Sequence, residues 1–441
     1  MASWALPGSC LLLVLGAALM APQGLLHDPQ VMPGFWRAAA VLGAGFALSW
    51  RLRWVGAAAF WGVAVLTRLL LLPMEPSDDI WRYLWEGQIQ RFGFNPFLLA
   101  PDAALLEPLR TPWWGQINHP DVTAIYPPLT QLLFRLLAAL SPADLGPAVL
   151  PFKLAFVAAD LALCALLARR FGRLPSLLYA WNPLVLVSIA GGGHFESWFL
   201  LPLVGAWLLI EPHSTATPSS QDPAQTPTRR LITALLVGLS VAIKWVSLPM
   251  LGLLLWRAIR ERGWRLAAAT ALLGVLPMAL ASLPFCGASG CPLIPVGSNF
   301  VRQGRSAELV PHLVGQLWGW SRAHNSLFLG ALAAVALALI LTNSAFGVFS
   351  RRYLMALLLL SPIVHGWYLT WLMPFAVPTR AWGARLLSLS GFVYFVLPSR
   401  LPDWNLSGPE RWLLWGPWLI GLALEMGLRC RGDPAAPPKR A

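Results

Sequence analysis

The amino-acid sequence predicts an all-α, polytopic membrane protein of about 12–14 membrane segments, and three observations carry that prediction. Of its 441 residues 57% are hydrophobic and 12% charged, about half the roughly 25% charge of a soluble domain. The apolar residues are gathered into runs that approach the length of a membrane-crossing helix. Arginine returns in every second connection between those runs, the asymmetry that the positive-inside rule produces.

The runs fall at 8–26, 33–50, 54–74, 151–169, 174–190, 195–211, 230–245, 248–260, 266–284, 326–345, 352–364, 367–378, 386–399 and 411–428. No basic stretch precedes the first, so it reads as a retained span rather than a cleaved signal. Several runs are shorter than the roughly 20 residues a spanning helix needs. Segments 230–260 and 352–378 therefore read as helix pairs bent near Pro249 and near His365. Residues 129–140 are also short and read as a re-entrant or interfacial helix.

Charge tests that assignment. With the N-terminus inside, the inside connections are 51–53, 169–173, 211–230, 257–265, 351–352, 380–385 and 429–440, and each contains arginine. Counting 129–140 as a full span inverts everything after it and places these clusters outside. The outside connections are then 27–33, the long loop 75–150, 191–194, the bend at 244–247, 284–325, the bend at His365, and 399–410. The chain divides accordingly into two peripheral N-terminal helices (1–53), a core (54–378) with a cytoplasmic linker at 212–229, and C-terminal helices with a basic tail (379–441). The linker is rich in Pro, Ser and Thr and reads as disordered.

The net charge of +13 does not indicate nucleic acid, because the basic residues lie in short clusters without a basic, aromatic-interleaved face. The five cysteines form no metal-ligand pattern. Cys286 and Cys291 can make one small disulfide if their loop is extracytoplasmic. No long-period repeat marks a transporter of two matching halves.

Nearly every unusual polar residue falls on the outer side. Residues 76–97, PSDDIWRYLWEGQIQRFGFNPF, place Asp78, Asp79, Arg82, Glu86 and Arg91 beside an apolar segment. At helical spacing Asp79, Arg82, Tyr83 and Glu86 share one face. The pair Asp78–Asp79 reads as a base or a cation site at the bilayer surface, or as an ordinary N-terminal helix cap. Lys244 lies in VAIKWVSLPM near the end of an apolar helix; an ionisable group there is a functional candidate, with snorkelling as its plain alternative. In WNPLVLVSIAGGGHFESWF, Trp181-Asn182-Pro183 is expected inside a helix that Gly191–Gly193 ends. His194 and Glu196 follow; the alternative is a polar turn. His365 interrupts SPIVHGWYLTWLMPF, where irregular backbone at membrane depth normally lines a cavity, while the tryptophans around it read as an interfacial belt. Arg302, Arg305, His312 and Arg322 are loop cations able to meet phosphate or lipid headgroups. Tyr126-Pro127-Pro128 stiffens the entry to the re-entrant segment.

An outer carboxylate pair, a cation near the same depth, a histidine on the same side and no nucleotide motif suggest a substrate activated on lipid phosphate. A carboxylate deprotonates an acceptor hydroxyl and a basic residue receives the departing phosphate. These motifs, with AIYPPLTQLLF and in this order over about residues 54–378, resemble bacterial GT-C superfamily glycosyltransferases, and in particular polyprenyl-phosphate-mannose-dependent mannosyltransferases. The resemblance implies an inverting transfer of a hexose, mannose in those relatives, from a polyprenyl-phosphate donor. The acceptor is a glycan, lipid or protein on the extracytoplasmic face of a bacterial inner membrane. It assigns the general base to Asp79 or its neighbour Asp78, and the donor phosphate to Lys244 and His365; the loop cations Arg302 and Arg305 are read beside them as phosphate ligands. Arg82, Tyr83, Glu86, Tyr126, His194, Glu196 and Tyr368 are expected to line the substrate cavity. No cofactor is assigned, and a divalent metal on the two carboxylates stays open. The rival from another class is a transporter or flippase for a lipid-linked or anionic substrate; a third is a family member that only scaffolds an envelope complex.

Overall fold

The computed structural model describes residues 4–142, 145–211, 226–287, 290–291, 304–379 and 381–430. Among them the regular structure is helical, apart from two isolated bridges at Gly287–Gly290 and Ser306–Ile363. Four helices are long and apolar enough to cross a membrane on their own: Ala5–Gln23, Pro29–Ser49, Leu150–Phe171 and Trp264–Phe285. A fifth crossing forms if Arg173–Ala180 and Pro183–Gly191, bent by 49°, act as one. The protein is an integral membrane protein.

Several of the remaining apolar runs make helices of 15–17 residues, among them Ala57–Leu71, Glu196–Ile210, Pro227–Ile243 and Phe346–Leu360. At 1.5 Å per residue these reach about 23–26 Å, short of a hydrocarbon layer of about 30 Å. They stop where polar residues begin: Ala57–Leu71 before Asp78, Pro227–Ile243 at Lys244, and Phe346–Leu360 before His365. The length these helices lack is supplied by irregular backbone, which membrane depth tolerates where it is buried in protein or lines a wet cavity.

The breaks differ in detail from the expected ones. Trp181 and Asn182 are not inside a helix but at the 49° bend, where the Asn182 side-chain oxygen accepts from the Leu184 N–H at 3.0 Å and starts the second half. The first bent pair breaks at Lys244–Ser247 rather than at Pro249, which takes the early-turn position that proline tolerates in Leu248–Arg262. Near His365 the chain runs extended through Ile363, pairs with Ser306, and resumes as a 3₁₀ turn over Gly366–Leu372.

One continuous hydrophobic core runs from Leu13 to Trp418. The first two helices join it, with Phe35 against Phe392 and Phe395 at 6.0 and 5.6 Å. The helix Asp79–Arg91 lies across Pro128–Leu140 so closely that a Cβ on Gly87 would stand 2.3 Å from the Phe134 carbonyl oxygen. Gln131 ties the same pair by donating to Glu86 at 2.6 Å. Cys286 and Cys291 are joined by a disulfide. Residues 212–225 of the linker lie outside the described residues.

Candidate functional site

The carboxylate side is assembled by a glycine turn. Ser77 N–H donates to the Gly192 carbonyl at 3.0 Å, while side chains at Gly191 and Gly193 would collide with Met74 and Ile80, each at 2.6 Å. Gly193 also has φ +74°, where a side chain is strained. Gly191 and Gly193 thus admit the 74–80 segment of this chain and bring Asp79 to His194. Asp79 Oδ1 accepts from Asn118 at 2.7 Å; Oδ2 lies 3.4 Å from the Tyr83 hydroxyl and 3.6 Å from His194 Nδ1. Asp78 occupies the cap position but makes no side-chain capping bond. Burial pushes the Asp79 carboxyl up, its bond from Asn118 only partly opposing this. Asp78 is pushed up to about 7, first by the crowding of protein around it and then by the Asp79 charge. Its side chain is nevertheless exposed to solvent.

Arg82 holds the loop that carries Asn118. Its Nε pairs with Glu86 at 2.7 Å, and its terminal nitrogens donate to the carbonyls of Asn118, His119, Val122 and Thr123. Arg82 and Glu86 are 4% and 1% exposed. They share a helical face with Asp79, as expected, but that face is turned into protein and neither residue lines a cavity.

The cation side is built by helix ends. Lys244 follows the last residue of Pro227–Ile243, and Thr130 donates to the Ile243 carbonyl at 2.7 Å. Ser240 donates to the Phe199 carbonyl at 2.7 Å, fixing the same turn. Lys244 Nζ meets Glu196 Oε1 at 2.6 Å, and the Trp371 indole N–H donates to Glu196 Oε2. The rings of Trp371, Phe195, Tyr368 and Phe199 surround the ammonium at 4.8, 5.0, 5.1 and 5.7 Å.

The turn His194-Phe195-Glu196 joins the two sides, with His194 facing Asp79 and Glu196 facing Lys244. His194 also stacks on Trp367 at 3.6 Å, and Trp367 on His365 at 4.6 Å. Tyr394 fixes His365 through Nδ1 at 2.6 Å. Tyr126 packs edge-on against Phe195 at 4.9 Å and Tyr83 at 5.6 Å. Asp78, Asp79, Tyr83, Tyr126, His194, Glu196, Lys244, His365 and Tyr368 therefore converge, although Tyr83, His194 and Glu196 are each about 1% exposed and lie behind the surface. Arg305 turns away, donating to the Ser321 carbonyl at 2.6 Å and covering Phe328. Arg302 lies outside the described residues. Sequence reasoning missed Asn118, Trp367, Trp371 and Tyr394. Asn118 has no periodic context, and the aromatics carry no signal separating a belt from a wall. Among the described residues no group of three or more His, Cys, Asp or Glu side chains is arranged to hold a metal ion.

A family model described as "Alpha-(1->6)-mannopyranosyltransferase, N-terminal domain" matches residues 7–260. A Mycolicibacterium smegmatis protein named "Probable alpha-(1->6)-mannopyranosyltransferase" is 26% identical over 364 residues, covering 72% of this chain and 63% of that protein. The Corynebacterium glutamicum alpha-(1->6)-mannopyranosyltransferase B is 26% identical over 391 residues, covering 77% and 62%. The chain thus spans rather under two thirds of the length of these curated relatives. No solved structure matches.

Proposed function

This chain belongs to the alpha-(1->6)-mannopyranosyltransferase family, and on that premise we propose that it transfers mannose from a polyprenyl-phosphate donor to an acceptor hydroxyl on the extracytoplasmic face of the bacterial inner membrane. The observation that carries the reading is the pairing of a carboxylate and an ammonium at the two ends of one three-residue turn, each with its own support. Asp79 takes the proton of the acceptor hydroxyl. The resulting oxygen nucleophile attacks the anomeric carbon opposite the bond to phosphate. That carbon–oxygen bond breaks, its electron pair leaves with polyprenyl phosphate, and Lys244 meets the charge that develops there. His365, with Nδ1 held by Tyr394, offers its other ring nitrogen to the phosphate. A single inversion that yields an α linkage, the linkage in the relatives' names, starts from a β-configured donor.

Asp79 has the stronger claim to the base. Asn118 and Tyr83 aim its carboxylate, whereas Asp78 lies at the open rim. The test is transfer from radiolabelled polyprenyl-phosphate mannose by the full chain in reconstituted membranes. Asp79→Asn is expected to lower the rate about 10²–10⁴-fold, the range of general-base catalysis, and Asp78→Asn to lower it far less. Transfer at the wild-type rate in both variants sinks the mechanism.

A further inference from the structure

We infer that Glu196 is a positioning residue for the phosphate-binding cation: it holds the Lys244 ammonium in place, with N–H donors left for a phosphate oxygen. This rests on the reading of Lys244 as the donor-phosphate ligand. Glu196 does not itself contact substrate, because it is 1% exposed and both its oxygens are taken, one by Lys244 and one by Trp371.

The electrostatics are set by two helix ends. Glu196 begins the helix Glu196–Ile210, and Lys244 caps the end of Pro227–Ile243. A carboxylate at a helix N-terminus and an ammonium at a C-terminus are each favoured by the local dipole. Pairing them across two packed helices satisfies both charges where four ring faces otherwise replace water.

The donor count is what turns this pair into a site. An ammonium has three N–H donors. Among the described residues, the hydrogen bond made by Lys244 Nζ is the one to Glu196. Ring faces attract the charge without forming a hydrogen bond to an oxygen or nitrogen acceptor, so two donors remain, and the side chain keeps 12% of its surface open. A lysine otherwise has four rotatable bonds and no fixed direction. The carboxylate at 2.6 Å removes that freedom, and the Trp371 indole, donating to the other oxygen, keeps the carboxylate from rotating. Phosphate then binds an ammonium already aimed, rather than ordering a free one.

The test is equilibrium binding of polyprenyl monophosphate and, in parallel, of the uncharged polyprenol to the full chain in lipid nanodiscs. Lys244→Met is expected to weaken binding of the phosphate selectively. Glu196→Gln is expected to weaken it about tenfold, as for losing a charged hydrogen bond, and to leave polyprenol binding unchanged. It should add nothing in a Lys244→Met background, and Glu196→Asp should restore part of the loss. If Glu196→Gln does not fold, Trp371→Phe keeps a ring, removes the N–H, and should show the same phosphate-selective loss, about threefold. Should Lys244→Met act selectively while Glu196→Gln weakens both lipids alike or neither, the positioning role is overturned and the Lys244 reading stands. If Lys244→Met leaves phosphate binding unchanged, the Lys244 reading fails and this inference fails with it.

Discussion

Two buried ion pairs of this protein look alike as pairs of charges and differ in what their donors do. Arg68 and Asp160 meet at 2.5 Å with neither side chain exposed; Lys244 and Glu196 meet at 2.6 Å with the lysine partly open. Each nitrogen of Arg68 has an acceptor: Asp160 for Nε, the Ala64 and Ala180 carbonyls for one terminal nitrogen at 2.8 and 2.9 Å, and Cys164 sulfur for the other. Ala180 ends the helix Arg173–Ala180, whose last carbonyls lack helical partners. Arg68 thus closes the bend with its donors turned into protein. Lys244 keeps donors and access. In a membrane protein, then, a buried charge is not by itself a functional mark; a buried charge with unused donors beside solvent is the stronger candidate.

The sharpest way to break this distinction is to remove each cation. Arg68→Met leaves Asp160 sealed and unpaired and is expected to cost about 3–5 kcal/mol, read as a large drop in thermal midpoint and in folded yield in detergent. Lys244→Met leaves Glu196 its bond from Trp371 and an opening for water, so its drop should be less than half as large. Equal losses in the two variants would remove accessibility as the criterion.

The same contrast explains what was legible in the sequence. Asp78, Asp79, Lys244 and His365 stood out because each interrupts or borders an apolar run, where the cost of burying a polar group makes its presence informative by itself. Arg68 and Asp160 interrupt the runs 54–74 and 151–169 just as plainly, yet their partnership spans 92 residues of sequence, and nothing local reveals it. Helical spacing correctly placed Arg82 and Glu86 on the face of Asp79. Spacing cannot say whether a face meets solvent or protein, and here the 118–123 carbonyls cover it. The tryptophans show the limit most clearly: Trp371 reads as a belt residue until its indole N–H is seen on Glu196, because only packing chooses which ring faces which charge. The sequence also anticipated that Gly191–Gly193 ends a helix, with room for a close approach to ligand or for a tight turn. The structure fills that space with Met74 and Ile80.

That turn offers a smaller test of whether the Arg68 scaffold serves the site. Gly193→Ala introduces a Cβ at a left-handed backbone position and 2.6 Å from Ile80, with an expected cost of about 1–3 kcal/mol. Because the strain pushes the 74–80 segment off His194, transfer should fall more than stability alone explains. It should be measured at a temperature where the variant is fully folded. Activity that tracks the folded fraction would separate the scaffold from the site.

The smallest effect concerns Asp78, and its sign follows from the direction of the shift. In the folded protein its carboxyl is pushed up to about 7, against an ordinary value of 3.8. Between those values the folded state holds a proton that the unfolded chain has released, so stability falls as pH rises through the window. Above about pH 7 both states are ionised and the whole penalty is present; below about pH 4 it is absent. Asp78→Asn should therefore raise the thermal midpoint at about pH 8 and change it little at about pH 4, by an amount that the solvent at the rim keeps modest. The two adjacent carboxyls titrate as a pair, so removing one charge also eases ionisation of Asp79, the proposed base. The acid limb of the pH–rate profile should move to lower pH in Asp78→Asn, with the maximal rate retained. An unmoved limb together with an equal midpoint gain at both pH values would make Asp78 an ordinary rim residue, and the crowding that raises its carboxyl would then have no bearing on the site beside it.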